Sequence, residues 1–356
     1  MTYRVVVWGT GNTGRLALRG VINHPELELV GLLVHNSDKA GHDAATLCGA
    51  EEMSPTGITA TADFDELLGI EADCLVYMGD GVIDPVTSVK NIVPFLEKGR
   101  NVVSCSFNQL VYPKTASADV RDPIEQACQL GQTTFFNNGA DPGYASDLFP
   151  LMLLSLMDDI VSIRIQEISN YRHYAHPEVM RNIFGYGQSV DYKIPLFEGG
   201  LLTEWWGGVV TLLADQLGAK LQRINEAHEF ATLDHDIETS VGTIKAGTIA
   251  ALRFEIQGII NDKPAIVVEH STRMHEDAAP AWPRGSRGDR VYKVIIEGRP
   301  QIECEFEMRD EHGLRGLLIA CAMRVVNAIP FVCEATPGLI STPDIPIAVG
   351  RNIRFR

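Results

Sequence analysis

The 356 residues are 45% hydrophobic and 21% charged, with a formal net charge of −16; this is the mix of an ordinary globular protein, long enough for about two domains of roughly 150 residues. So acidic a surface argues against nucleic acid and anionic membranes as partners, because phosphate binding needs a basic face that releases counterions. Seven scattered cysteines without a C-x-x-C pair fit free thiols in a reducing compartment. With no basic-then-apolar leader and no apolar run of about 20 residues, the cytoplasm is the expected location.

In chain order, residues 4–8 are a β-branched run ending on glycine, which predicts a buried parallel strand. Residues 15–23 have helical spacing until His24 and Pro25 stop them, and 28–35 form a second strand. A short helix at 63–68, a strand at 74–78, a helix at 86–98 capped by Gly99, a strand at 101–105, a helix at 123–130 and a strand at 133–136 continue the alternation. Such alternation means βαβ units, so residues 1–145 are expected to form an α/β domain, a Rossmann doubly wound parallel sheet.

After Asp141-Pro142-Gly143 the texture changes. An apolar helix at 146–157 precedes segments of period two at 161–169, 226–233, 248–259, 264–271, 291–297 and 301–308. Strand following strand predicts a C-terminal α+β domain over 146–311 with a mostly antiparallel sheet. One face would carry helices near 204–217, and the other a second subunit, making a homodimer. Helical spacing at 313–328 suggests that 312–356 complete the first domain. Residues 276–289, rich in Pro, Gly and Arg around Trp282, read as a surface loop, with an active-site cover as the alternative.

The chemistry begins at Gly9-Thr10-Gly11-Asn12-Thr13-Gly14, a G-x-G-x-x-G that follows a strand and opens a helix, the context of a dinucleotide site. Where an NAD site usually carries an acid for the ribose 2′-hydroxyl, this chain has His35-Asn36-Ser37-Asp38-Lys39. Neutral donors beside a lysine suit a 2′-phosphate, so the expected cofactor is NADP(H), with NAD(H) as a second possibility and Asp38 arguing for it. Met78, Gly79 and Asp80 end a further strand on the carboxyl edge, where Asp80 reads equally as a helix N-cap. Ser104, Ser106, Gly139, Asp141 and Asn327 complete the expected cofactor contacts.

The segment Asn137 to Tyr144 marks the domain junction, either a ligand-contacting turn or a plain hinge. Tyr171-Arg172-His173-Tyr174-Ala175-His176 joins aromatics to imidazoles after a strand; two histidines without a third ligand do not make a metal site, and no metal is expected. Trp205 and Trp206 beside Glu204 read as core. No G-x-S-x-G, H-E-x-x-H or P-loop pattern occurs.

Val6-Val7-Trp8 with the glycine turn, Asn101-Val102-Val103-Ser104, Tyr112-Pro113, Asn138-Gly139-Ala140-Asp141-Pro142-Gly143 and Met323-Arg324-Val325-Val326-Asn327-Ala328-Ile329-Pro330 together carry a family likeness. Through almost its whole length the chain resembles the dihydrodipicolinate-reductase-like superfamily, and within it the 2,4-diaminopentanoate dehydrogenase and native amine dehydrogenase branch. It lacks the His-His-x-x-Lys segment of true dihydrodipicolinate reductases. The resemblance implies reversible reductive amination with NAD(P)H, in which a glutamate shortly before Tyr-Pro handles the proton of ammonia. Here Asn108 or Gln109 stands at that position, and an amide takes no proton at neutral pH. Glu204 and His173 are the substitute bases to consider. Phe107, Tyr144, Tyr171, His173 and Tyr174 would wall the pocket of a small organic substrate, with Asn108 facing the reacting centre. An imine or carbonyl reductase that needs no ammonia is the second reading, and a non-catalytic NADP(H)-binding sensor the third.

Overall fold

The β-branched run near the N-terminus forms β1 (Tyr3–Trp8), whose Val5 and Val7 enter one hydrophobic core while Val6 and Trp8 enter another. A strand buried on both faces belongs to a parallel sheet covered by helices. The computed structural model, which describes residues 1–49, 54–286, 288, 290–310 and 315–351, contains such a sheet. Chain order runs through α1 (Gly14–Asn23), β2 (Leu27–Leu33), α2 (Ala44–Leu47), α3 (Phe64–Gly69), β3 (Cys74–Tyr77), α4 (Pro85–Glu97), β4 (Asn101–Ser104), α5 (Ala118–Gly131) and β5 (Thr134–Asn137). Helix α5 starts earlier than periodicity suggested, because Pro123 lies inside it and not at its start.

Next come α6 (Leu148–Leu154), shorter than the expected apolar helix, β6 (Asp159–Asn170), α7 (Leu201–Gln216), β7 (Arg223–Thr232), β8 (Ile249–Ile260), β9 (Lys263–Arg273), β10 (Arg290–Arg299) and β11 (Ile302–Phe306). These strands order as β11-β10-β6-β9-β8-β7, antiparallel throughout except for the parallel pair β6 and β9. One face packs on α7, where a Cβ on Gly258 would meet Val210 Cγ1 at 2.5 Å and Trp206 lies against Phe254 at 5.3 Å. The opposite face is charged. Arg164 and Arg253 hold the buried Glu269 at 2.5 and 2.8 Å, and Arg164 also reaches Glu255 at 2.7 Å.

The chain then returns through α8 (Arg315–Val326), α9 (Ile329–Glu334) and β12 (Gly338–Ile340). β12 extends the first sheet to the order β12-β5-β4-β3-β1-β2, all parallel. The strand is too short for a periodicity signal, and the sequence reading missed it. Helices α1, α8 and α9 cover one face of this sheet, and α3, α4 and α5 the other. Arg315–Glu334 is long and apolar enough by composition to cross a bilayer, with mean hydropathy 1.9, contrary to the sequence expectation. Here the stretch forms two helices packed on α1, β4 and β5. The chain thus divides into one unit of Met1–Tyr144 with Arg315–Arg356 and a second of Ala145–Leu314. In the 276–289 stretch, residues 287 and 289 lie outside those described. The buried Arg273 organises its start by donating to the carbonyls of Ala278 and Pro283 at 3.0 and 2.9 Å.

Candidate functional site

In the parallel sheet β1 has β2 on one side and β3 on the other, so the strand order reverses there. The carboxyl ends of strands at such a switch point open the crevice in which ligands bind. The 9–14 turn occupies it. Gly9 has φ +110, and a Cβ there would stand 2.7 Å from the Met78 carbonyl; a Cβ on Gly14 would stand 2.3 Å from the Gly9 carbonyl. Both glycines serve the closure of the turn on its own fold. Gly11 differs: an added Cβ would meet nothing within 4 Å, and Gly11 and Asn12 are exposed. Thr13 precedes α1 without a side-chain capping bond. Open backbone at Gly11 and an uncapped helix start fit the pyrophosphate of a dinucleotide.

β2 ends at Leu33, so the chain has left the sheet before His35, Asn36 and Ser37, all exposed. Asp38 lies in a 3₁₀ turn, its N–H donating to Asn36 Oδ1 at 2.9 Å. Lys39 folds back on the glycine turn, its Nζ 3.0 Å from the Thr10 carbonyl and 3.2 Å from Thr10 Oγ1. The strand end therefore presents the neutral His35, Asn36 and Ser37 and the acid Asp38, with the Lys39 cation beside Thr10.

Met78 continues from β3 with its N–H on the Trp8 carbonyl at 2.8 Å, and Gly79 and Asp80 follow. The N-cap of α4 is Asp84, which accepts the Thr87 N–H at 3.0 Å, so the capping reading of Asp80 does not hold. Ser104 is committed internally, donating to the Tyr77 carbonyl at 2.8 Å and accepting the Ser106 N–H at 3.0 Å. Asn137 clamps the Phe107 backbone from both sides. The Phe107 ring is fully buried against Tyr77 and Phe135, inside the core of the first unit and without surface of its own. Gln109 accepts from Ser117 Oγ at 3.1 Å, which leaves half-buried Asn108 as the amide available at the position of the missing glutamate. Gly139 and Gly143 close a loop in which the Tyr144 N–H reaches the Gly139 carbonyl at 2.9 Å, and Asp141 lies within it, half-buried. Asn327 follows α8 with its Oδ1 buried and, among the described residues, accepting no hydrogen bond.

In the second unit His173 is exposed in the loop after β6, and Glu204 is exposed in the first turn of α7. Trp205 and Trp206 are buried, as core residues are. Tyr171 and Tyr174 do come together, ring centres 5.7 Å apart. The Tyr171 hydroxyl donates to Glu167 Oε1, and burial followed by the charge of Glu167 pushes its phenol well above the ordinary range. Around Glu167 stand groups that the sequence reading missed. Tyr292 donates to Oε2 at 3.3 Å, and His270 Nδ1 lies 3.8 Å from the same oxygen. The imidazole stacks on Phe254 at 4.6 Å with Trp206 tilted against it at 4.6 Å, and nearby Tyr186 shares a 2.6 Å bond with Thr272. A signal for the cluster existed. Glu167 falls in register with the inward Ile163 and Ile165, and His270 with Ile266 and Val268.

Comparison with known proteins gives this architecture a family. Residues 145–354 match the 2,4-diaminopentanoate dehydrogenase C-terminal domain. The chain is 39% identical over 352 residues, 97% of each chain, to a Streptomyces virginiae protein named amine dehydrogenase. It is 24% identical to the 2,4-diaminopentanoate dehydrogenase of Acetoanaerobium sticklandii over 71% of this chain and 68% of that one. An amine dehydrogenase structure from Mycobacterium smegmatis shares the fold, with a TM-score of 0.79 at 18% identity over 99% and 98% of the two chains. With the dinucleotide-type turn at the sheet's switch point, these matches mean that the chain belongs to the 2,4-diaminopentanoate dehydrogenase and amine dehydrogenase family of nicotinamide-dependent oxidoreductases.

Proposed function

We propose that the protein catalyses the reversible reductive amination of a small ketone or aldehyde, drawing on NADP(H). Family membership carries the reaction class, an oxidoreductase of CH–NH₂ bonds. Lys39 beside Thr10, after a strand end whose first residues His35, Asn36 and Ser37 are neutral donors, supports the preference for a 2′-phosphate against the exposed Asp38. The open backbone at Gly11 and the first turn of α1 would hold the pyrophosphate. Met78, Gly79, Asp80, Ser106, Gly139, Asp141 and Asn327 would line the remainder, Asn327 through an Oδ1 that accepts no bond within the described protein. Ser104, fully buried with its hydroxyl engaged by Tyr77 and Ser106, is not among them. When bound, the cofactor supplies the hydride.

The protein's own part is to bind and orient the substrate and to move protons. Asn108 holds a hydrogen bond to a carbonyl or amine and transfers no proton. Tyr144, Tyr171, His173 and Tyr174 remain the proposed substrate contacts, and His173 and Glu204 offer exposed titratable groups. The second unit is proposed as the substrate and dimerisation domain of a homodimer. Seven free cysteines favour a reducing, cytoplasmic setting.

The test is NADPH oxidation across small ketones and aldehydes with and without ammonium. The expected result is turnover only when ammonium is present. Asn108 in place of a carboxylate favours one other reading, an imine or carbonyl reductase, for which the rate would not depend on ammonium.

A further inference from the structure

We propose that Glu167 is the group that exchanges the proton of the incoming ammonia, the work for which Asn108 has no basic atom. The proposal rests on the amination reading above. Among its described residues the second unit buries three carboxylates, Asp147, Glu167 and Glu269. Asp147 is occupied at the start of α6, where it accepts the Leu148 N–H. Glu269 is fixed between Arg164 and Arg253, whose guanidinium groups do not give up their protons, so neither of these partners can exchange one with it.

Glu167 is set apart by what surrounds it, the Tyr171 and Tyr292 hydroxyls and the His270 imidazole. Tyr292 and His270 can each share or pass a proton. A carboxylate and an imidazole at inward positions of β6 and β9 are costly to bury, and nothing about packing a sheet on α7 calls for them. Tyr171, whose phenol stays protonated, is a positioning residue that holds Oε1.

The step balances without an oxidant or reductant. Ammonium gives one proton to the Glu167 carboxylate, which frees the nitrogen lone pair. A C–N bond forms at the carbonyl carbon as the C=O π bond opens, and a proton passes from nitrogen to oxygen, giving the neutral carbinolamine. Glu167 then returns its proton to the hydroxyl, the C–O bond breaks, and water leaves an iminium. One carbonyl and one ammonium become one iminium and one water, and Glu167 ends as it began.

The experiment compares two substrates in the full-length wild-type and Glu167→Gln proteins, ketone with ammonium and a preformed five-membered cyclic imine, each with NADPH. The preformed imine bypasses the condensation. The expected result is a loss of about 100-fold or more in kcat for ketone plus ammonium, against a loss of less than about 10-fold for the imine. Equal losses on both substrates, or amination kept within about threefold, would overturn the proposal. A wild type without ammonium-dependent turnover instead sinks the amination reading, and it does so in the wild-type arm alone. If thermal melting shows that Glu167→Gln does not fold, Tyr171→Phe carries the same comparison, with amination expected to fall about tenfold more than imine reduction.

Discussion

Single residues in the glycine turn separate what the fold needs from what a ligand needs. Gly14→Ala drives a Cβ into the Gly9 carbonyl and is expected to cost about 2 kcal/mol or more, read as a lower denaturant midpoint. Gly11→Ala adds its methyl to open space, so the midpoint should stay in place while the Kd for NADPH rises about tenfold. An unchanged Kd would remove the pyrophosphate from that turn. Lys39→Glu puts a negative charge beside Thr10 and should weaken NADPH by about tenfold or more, with NADH little affected. Equal losses for both cofactors would refute the 2′-phosphate assignment. The turn was legible in the sequence because the glycine spacing between a strand and a helix is a local pattern, although what constrains Gly9, the Met78 carbonyl, is distant in sequence. Glu167 was legible only as an acid in an inward register, since its phenol and imidazole partners come from β10, β9 and the loop after β6.

Whole elements show where periodicity works and where it fails. Apart from β12, the strands were read within a few residues, those of the first sheet from unbroken apolar or β-branched runs and those of the second from a period of two. β12 has three residues, too few for any period, and exists because β5 offers an open edge. Across β6, β8 and β9 the charged face gives a pH prediction. Burial works against ionisation of Glu255, yet hydrogen bonds from Arg164 and Gln257 and the charges of Arg164 and Arg253 hold its carboxyl below the ordinary value. A carboxylate lowered in the folded state contributes fully above its unfolded value and loses that contribution as pH falls through the folded one. The melting temperature should therefore be level above about pH 5 and fall below it, and Glu255→Gln should flatten the fall. Glu269→Ala leaves Arg164 and Arg253, each about a third exposed, without their shared carboxylate. A destabilisation of about 2 kcal/mol is expected, discounted for solvent screening and measurable by urea titration.

At the scale of the whole molecule the homodimer proposal concerns the sheet face opposite α7. The sequence led to a second subunit there, and the face proves to be a lattice of arginines, glutamates and glutamines in place of an apolar patch. The homodimer proposal predicts a light-scattering mass twice the 39.1 kDa of the chain, with dissociation favoured by high salt. A monomer at all protein concentrations would leave that face as solvated surface.

By itself the sequence determined the two fold classes, the dinucleotide turn and the absence of a carboxylate at 108, because each depends on local spacing or on residue identity. Only the tertiary structure decided that β12 closes the first sheet, that Lys39 turns back onto Thr10, and that Phe107 belongs to a core. It alone gathered Glu167, Tyr171, His270 and Tyr292 into one cluster. These features rest on contacts between residues distant in sequence, and such contacts depend on how strands pair and side chains turn, which no run of neighbouring residues records.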